Sequence, residues 1–156
     1  MESSPGAEAE EALDTVHLII GVAVLGGNLV AGIWGAVSWI QRQPSVGFWY
    51  ALRFAQIAVV VQVMVGAVLL VLGRAAADEL HYLYGVLPLA VSLLAEAARA
   101  GAAERELEGL DFDSLPKGRR QAIALAIVRR ETGIMTVSAL VIVFLALRAA
   151  GTSTLL

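Results

Sequence analysis

The sequence predicts an all-α protein, a four-helix transmembrane bundle that runs up-down-up-down. Three observations predict it. Hydrophobic residues make up 58% of the 156-residue chain and charged residues 16%, against roughly 45–50% and about 25% in soluble domains. Four apolar stretches each approach or exceed the roughly 20 residues that carry a helix across a bilayer. The cationic residues gather in the connections between alternate stretches, the asymmetry that orients membrane proteins.

The first span runs from about Val16 to Ile40, behind an acidic tail over 1–15. The tail ESSPGAEAEEALD is acidic where a cleaved leader is basic, and the apolar run is too long for one. The second span runs from about Phe48 to Leu72, and the third from about Leu80 to Ala98. Residues 99–131 form a charged connection. The fourth span covers about Thr132 to Ala150 within 132–156, and Arg148 must snorkel outward from its end. Helices are the only open choice, because an isolated strand leaves its backbone unpaired in lipid.

Orientation follows from the cations. Of the 11 Lys and Arg residues, Arg74 and Arg148 lie on one side. The other nine are Arg42, Arg53, Arg99, Arg105, Lys117, Arg119, Arg120, Arg129 and Arg130. The positive-inside rule then places 41–47 and 99–131 in the cytoplasm of a cell whose inner or plasma membrane holds the chain, with both termini outside. The basic half of the connection, SLPKGRRQAIALAIVRRE, reads as an amphipathic helix with Ser114 as N-cap and Pro116 in its first turn. Such a segment suits a layer of anionic headgroups and can continue directly into span four. The acidic half, from Ala100 to Asp113, reads as surface loop or frayed helix.

Spans one and three run the same way, and each opens on a histidine. HLIIGVAVL at 17–25 and HYLYGVLPL at 81–89 share His, Gly, Val and the last Leu. This short repeat predicts two hairpins related by an axis along the membrane normal. At about 100° per residue, His17, Gly21, Val24, Asn28, Ala31, Gly35 and Trp39 form one stripe. His81, Tyr84, Gly85, Pro88, Ser92 and Glu96 form another. Polar and small residues in lipid face the bundle interior, so the two histidines are expected to face each other across the diagonal near the outer surface. On span two, Gln56, Gln62, Gly66 and Gly73 share a broad face. Ala23, Gly27, Ala31 and Gly35 predict a close-packing seam. Pro88 should kink or loosen span three.

The chemistry expected of this pair is bis-imidazole ligation of one haem b, with His17 and His81 as the metal ligands. Gly21 and Gly85, one turn after each histidine, would make room for the macrocycle. Tyr82 and Tyr84 are neighbours, and Arg74 could pair with a propionate. Trp39 lies too deep to help. The layout resembles the general plan of four-helix membrane b-type cytochromes in architecture and in two ligand positions. Those proteins often hold a second haem, for which this chain has no histidine. The resemblance implies electron transfer at the outer face, with quinone or another membrane redox subunit as partner besides the lipid bilayer. No nucleic-acid partner is expected.

The competing expectation is a non-catalytic structural or accessory subunit of a membrane complex, its histidines serving as interfacial anchors. Zinc would need three or four ligands, with only Asp14, Asp78 and Glu79 near enough to assist. Cysteine is absent, which removes disulfides, thiolate metal sites and iron–sulfur clusters. No Walker loop, Ser–His–Asp set or dinucleotide fingerprint is present. Glu96 and Glu131 are expected near the cytoplasmic ends, solvated or paired with Arg99 and Arg130. Asn28 is expected to bond across helices.

Overall fold

The computed structural model describes residues 5–74, 76 and 78–152. They form four helices, α1 Pro5–Gln41, α2 Val46–Val71, α3 Leu80–Leu107 and α4 Lys117–Gly151, with a 3-10 turn at Phe112–Ser114 before α4. All four are long and apolar enough to cross a membrane. Large apolar side chains cover the outside of the bundle, among them Ile40 at 78%, Val71 at 86% and Leu94 at 70% exposure. An apolar exterior on this scale requires lipid rather than water around it. This is a membrane protein with an up-down-up-down bundle.

Three helices extend beyond their expected spans. The part of the acidic tail that is described belongs to α1, which has 37 residues and is about 55 Å long at 1.5 Å per residue. The basic segment and span four are one helix of 35 residues. The first part of the acidic connection is also helical, because α3 continues to Leu107. Ser114 does not cap α4. Its hydroxyl donates to the Asp111 carbonyl at 2.8 Å, closing the 3-10 turn, and Pro116 is the N-cap. A residue before proline is pushed out of the helical region. Leu115 is accordingly extended, at ψ 146°, and the helix starts only after Pro116.

Short connections make neighbouring helices antiparallel. Between α1 and α2, Arg42 occupies the left-handed region at φ 57°. The Gln43 amide donates back to the Ser38 carbonyl at 3.0 Å, a Schellman closure that normally recruits glycine. Ser45 then caps α2, accepting from the Phe48 amide at 3.3 Å. At the other end of α2, Gly73 takes the same left-handed position at φ 81°. It therefore terminates the helix and does not join the face of Gln56, Gln62 and Gly66.

The bundle is unevenly closed. α1 packs extensively on α2 and α4, and α3 on α4, whereas α2 and α3 touch least among adjacent helices. α1 and α3 lie across the diagonal. One apolar layer holds Ala31, Phe48, Leu52, Ala95, Met135 and Ala139. The second, nearer the chain ends, holds Val24, Ala58, Val59 and Ile142. The small-residue seam of α1 is real and tight. A Cβ on Gly35 would collide with Thr136 Oγ1 and come within 2.6 Å of the Phe48 ring, so a side chain there would push α1 away from both neighbours. Pro88 is buried, and α3 continues across it although the Tyr84 carbonyl loses its usual amide donor.

Candidate functional site

Both polar stripes turn inward. On α1, Val24, Asn28, Ala31 and Gly35 are buried and His17 and Gly21 are half-buried, with Trp39 exposed at the far end. On α3, Pro88 and Ser92 are buried, while His81, Tyr84, Gly85 and Glu96 are half-buried. The diagonal brings His17 and His81 together, with ring centroids 6.2 Å apart and planes inclined at 54°.

Each imidazole is held by a second group. His81 Nδ1 lies 3.0 Å from the Ala149 carbonyl in the last turns of α4. A carbonyl only accepts, so Nδ1 carries the proton and Nε2 keeps its lone pair. His17 Nε2 lies 3.1 Å from the Gln62 amide nitrogen on α2. That nitrogen only donates, so His17 Nε2 accepts. Turning the Gln62 amide over exchanges the roles, with its oxygen accepting from Nε2–H and the lone pair moving to His17 Nδ1. His17 Nδ1 and Gln62 Oε1 are both buried without a hydrogen-bond partner. Gly66 supports the ring from α2, and a Cβ there would come within 3.2 Å of His17 Cε1.

The other expected residues surround this pair in different ways. Tyr82 presents its ring edge to His81 at 6.3 Å, and its hydroxyl accepts from the Ala76 amide at 2.8 Å. Tyr84 lies under the Arg148 guanidinium, 5.6 Å from the ring centre. Arg74 forms an ion pair with Asp14, tying the α2–α3 connection to α1 one turn before His17. A Cβ on Gly21 would come within 3.3 Å of the Gln62 amide nitrogen, so this glycine gives room to Gln62. Gly85 has nothing within 4 Å of its Cβ position, which leaves α3 open one turn below His81. Trp39 sits at the opposite end of the bundle, against Gly133.

Two groups that hold the histidines escape sequence reading. Gln62 is visible as a polar residue in an apolar helix, but its partner depends on the register of α1 against α2. Ala149 contributes a backbone carbonyl and has no signal at all. Asn28 departs from expectation. It donates to the Val24 carbonyl of its own helix, one turn away, at 2.8 Å.

A second polar group latches the loose α2–α3 seam. Glu96 accepts from Arg53 at 2.5 Å, from Gln56 at 2.9 Å and from Arg99 at 2.9 Å. Arg99 also reaches Glu131 at 3.7 Å and lies over the Trp49 ring. Arg130 pairs with Glu106 at 3.0 Å and not with Glu131. Gln56 is ten residues into α2, about 15 Å along its axis, so Glu96 lies deeper than the end of span three. The charges of Arg53, Arg99, Glu96 and Glu131 cancel, as partly buried ions require.

Among the described residues no group of three or more His, Asp or Glu side chains is placed to share a metal ion. The histidine pair alone offers two nitrogens. Compared with known proteins, the chain matches no family model, no curated protein and no solved structure.

Proposed function

We propose that this protein is a small membrane haem-b protein that transfers electrons near the outer face of the bilayer, with His17 and His81 as the residues that would hold the haem. The single observation that carries the reading is the 6.2 Å separation of the two imidazoles across the bundle diagonal. Two imidazoles on opposite sides of one iron, each with a metal–nitrogen distance of about 2 Å, hold their ring centres about 6 Å apart once half of each ring is added. The chain's own residues fit that group in two further ways. His81 donates its other nitrogen to a backbone carbonyl, as metal-bound histidines do to fix tautomer and ring orientation. His17 Nδ1 is a buried polar atom with no protein partner, and with the Gln62 amide turned so that its oxygen accepts from Nε2–H this nitrogen offers its lone pair.

A bound haem would supply a one-electron couple. The residues around it have separate tasks. Gln62 selects which His17 nitrogen holds the lone pair. The Ala149 carbonyl keeps the proton of His81 on Nδ1. Gly85 and the sparse α2–α3 seam leave one side of the pair open. Arg148, over the Tyr84 ring, brings positive charge to this end of the bundle, which would favour an anionic substituent, while Arg74 is already paired with Asp14. A macrocycle brings four nitrogens of its own, so two side chains complete its iron, whereas zinc would need further protein ligands. The cation asymmetry supports both termini outside and the 42–45 turn in the cytoplasm. Quinone or a membrane redox subunit is the natural class of partner for such a couple.

A second reading, that of a structural or accessory subunit, is favoured by one fact. The Gln62 and Ala149 hydrogen bonds already give each histidine one partner, so the pair can act as a clamp between helices. One experiment separates the two. Protein expressed with ample haem should purify red, with a Soret band that shifts on dithionite reduction, and His17→Ala or His81→Ala should abolish it. Colourless protein under those conditions refutes the haem reading and leaves the clamp.

A further inference from the structure

At the end of the bundle opposite the histidines, α4 changes character within two turns. Arg129 and Arg130 end its basic segment, and Gly133, Ile134 and Val137 begin its apolar one. A groove of about 680 Å³ lies along this boundary, lined by these five residues with Trp39 and Ala126. Trp39 on α1 forms its wall, lying so close to Gly133 that a Cβ there would come within 2.8 Å of the indole. A narrower cleft shares Trp39 and Arg129 with the groove and adds Arg42 from the α1–α2 turn.

Four features point to a ligand that is anionic at one end and apolar at the other. No carboxylate lines either cleft. Neither Arg42 nor Arg129 forms an ion pair among the described residues. Arg42 also holds the left-handed backbone conformation at φ 57°, where glycine would be cheaper by about 1–2 kcal/mol. Arg42 brings a guanidinium, with its five donors, to the narrower cleft that Arg129 also lines. Tryptophan belongs at the headgroup level of a bilayer, and the apolar floor of Ile134 and Val137 continues toward the acyl region.

We propose that this groove binds an anionic glycerophospholipid of the adjoining leaflet. Arg42 and Arg129 take the phosphate, Arg130 helps from its Glu106 pair, and the acyl chains run over Gly133, Ile134 and Val137. The site is independent of what occupies the histidine pair.

The test uses the full chain in nanodiscs of dioleoylphosphatidylcholine with and without dioleoylphosphatidylglycerol, followed by native mass spectrometry of the released protein. Retained lipid should be enriched in phosphatidylglycerol at least tenfold over its share of the bilayer. Arg42→Gln and Arg129→Gln should each lower that enrichment about fivefold, the weight of one cation near an anionic surface. The double variant Lys117→Gln/Arg119→Gln removes two positive charges outside the groove, twice that of either groove variant, and should still leave the enrichment unchanged. No enrichment in the unmodified chain overturns the proposal. An equal loss in the Lys117/Arg119 variant also overturns it, because the attraction would then belong to the whole basic helix. Enrichment of an acidic peptide in place of lipid, in a competition on the same nanodiscs, would overturn it in favour of a protein partner.

Discussion

Replacing Gln62 with leucine separates the histidine pair as a ligand set from the histidine pair as a clamp. Leucine has similar bulk and, unlike methionine, cannot itself bind iron. The substitution removes the 3.1 Å hydrogen bond to His17 Nε2 and leaves that nitrogen unpaired, at a total cost of about 1–3 kcal/mol. It also removes Gln62 Oε1, which is buried without a partner and carries a penalty of the same size. The effects offset to within about 1 kcal/mol, so the thermal midpoint of the haem-free protein should move by only a few degrees. Haem affinity should respond much more. Partners that orient a metal-bound histidine typically contribute about 10–100-fold in affinity, and among the described residues Gln62 is the side chain that bonds a His17 nitrogen. Haemin titration in detergent, read in the Soret region, would measure this beside unfolding followed by circular dichroism. A large drop in midpoint with unchanged haem affinity would refute the reasoning and make the Gln62–His17 contact a structural clamp.

Three further outcomes follow from the packing. Gly35→Ala should destabilise the bundle by about 1–3 kcal/mol through overpacking against Thr136 and Phe48, partly offset by alanine's higher helix propensity; an unchanged unfolding midpoint would contradict the tight α1 seam. Glu96→Gln should weaken the α2–α3 latch by about 1.5–3 kcal/mol, the range for hydrogen bonds to charged groups, discounted because the pair is partly exposed. Spin labels on α2 and α3 should then report a broader distance distribution, and an unaltered one would count against the latch. Arg42→Gly should relieve about 1–2 kcal/mol of left-handed strain and lose about 0.3–1 kcal/mol of favourable charge at the α1 terminus. In lipid-free detergent the variant should be the more stable protein, and a lower midpoint would show that Arg42 is not strained.

Much of the architecture was legible because a bilayer allows few solutions. Four apolar runs of sufficient length gave four helices, and 3.6-residue periodicity put Val24, Asn28, Ala31 and Gly35 on one buried stripe. Parallel spans that each open on a histidine gave the diagonal encounter. What stayed hidden depends on how one helix slides and turns against another. The Gln62 and Ala149 partners follow from α1–α2 and α3–α4 register, on which composition and periodicity are silent. Arg74 met Asp14, and Arg99 rather than Arg130 met Glu131, because ion pairs choose among several cations by distances that only packing determines. Asn28 bonded its own helix because the Val24 carbonyl lies one turn away, which leaves its Oδ1 buried without a partner. Ser114 was a plausible cap until the restriction that Pro116 imposes on Leu115 is counted. Gly73 fell on the helical face by arithmetic, yet its position at the end of α2 made it a terminator.

The central claim is that His17 and His81 hold one haem between them. The most direct measurement is a haemin titration of the purified full chain, read by Soret absorbance together with low-temperature electron paramagnetic resonance. The account predicts saturation at one haem per chain, a low-spin ferric signal, and loss of that signal in both His17→Ala and His81→Ala. A titration without saturation, or a low-spin signal that survives either substitution, would contradict it.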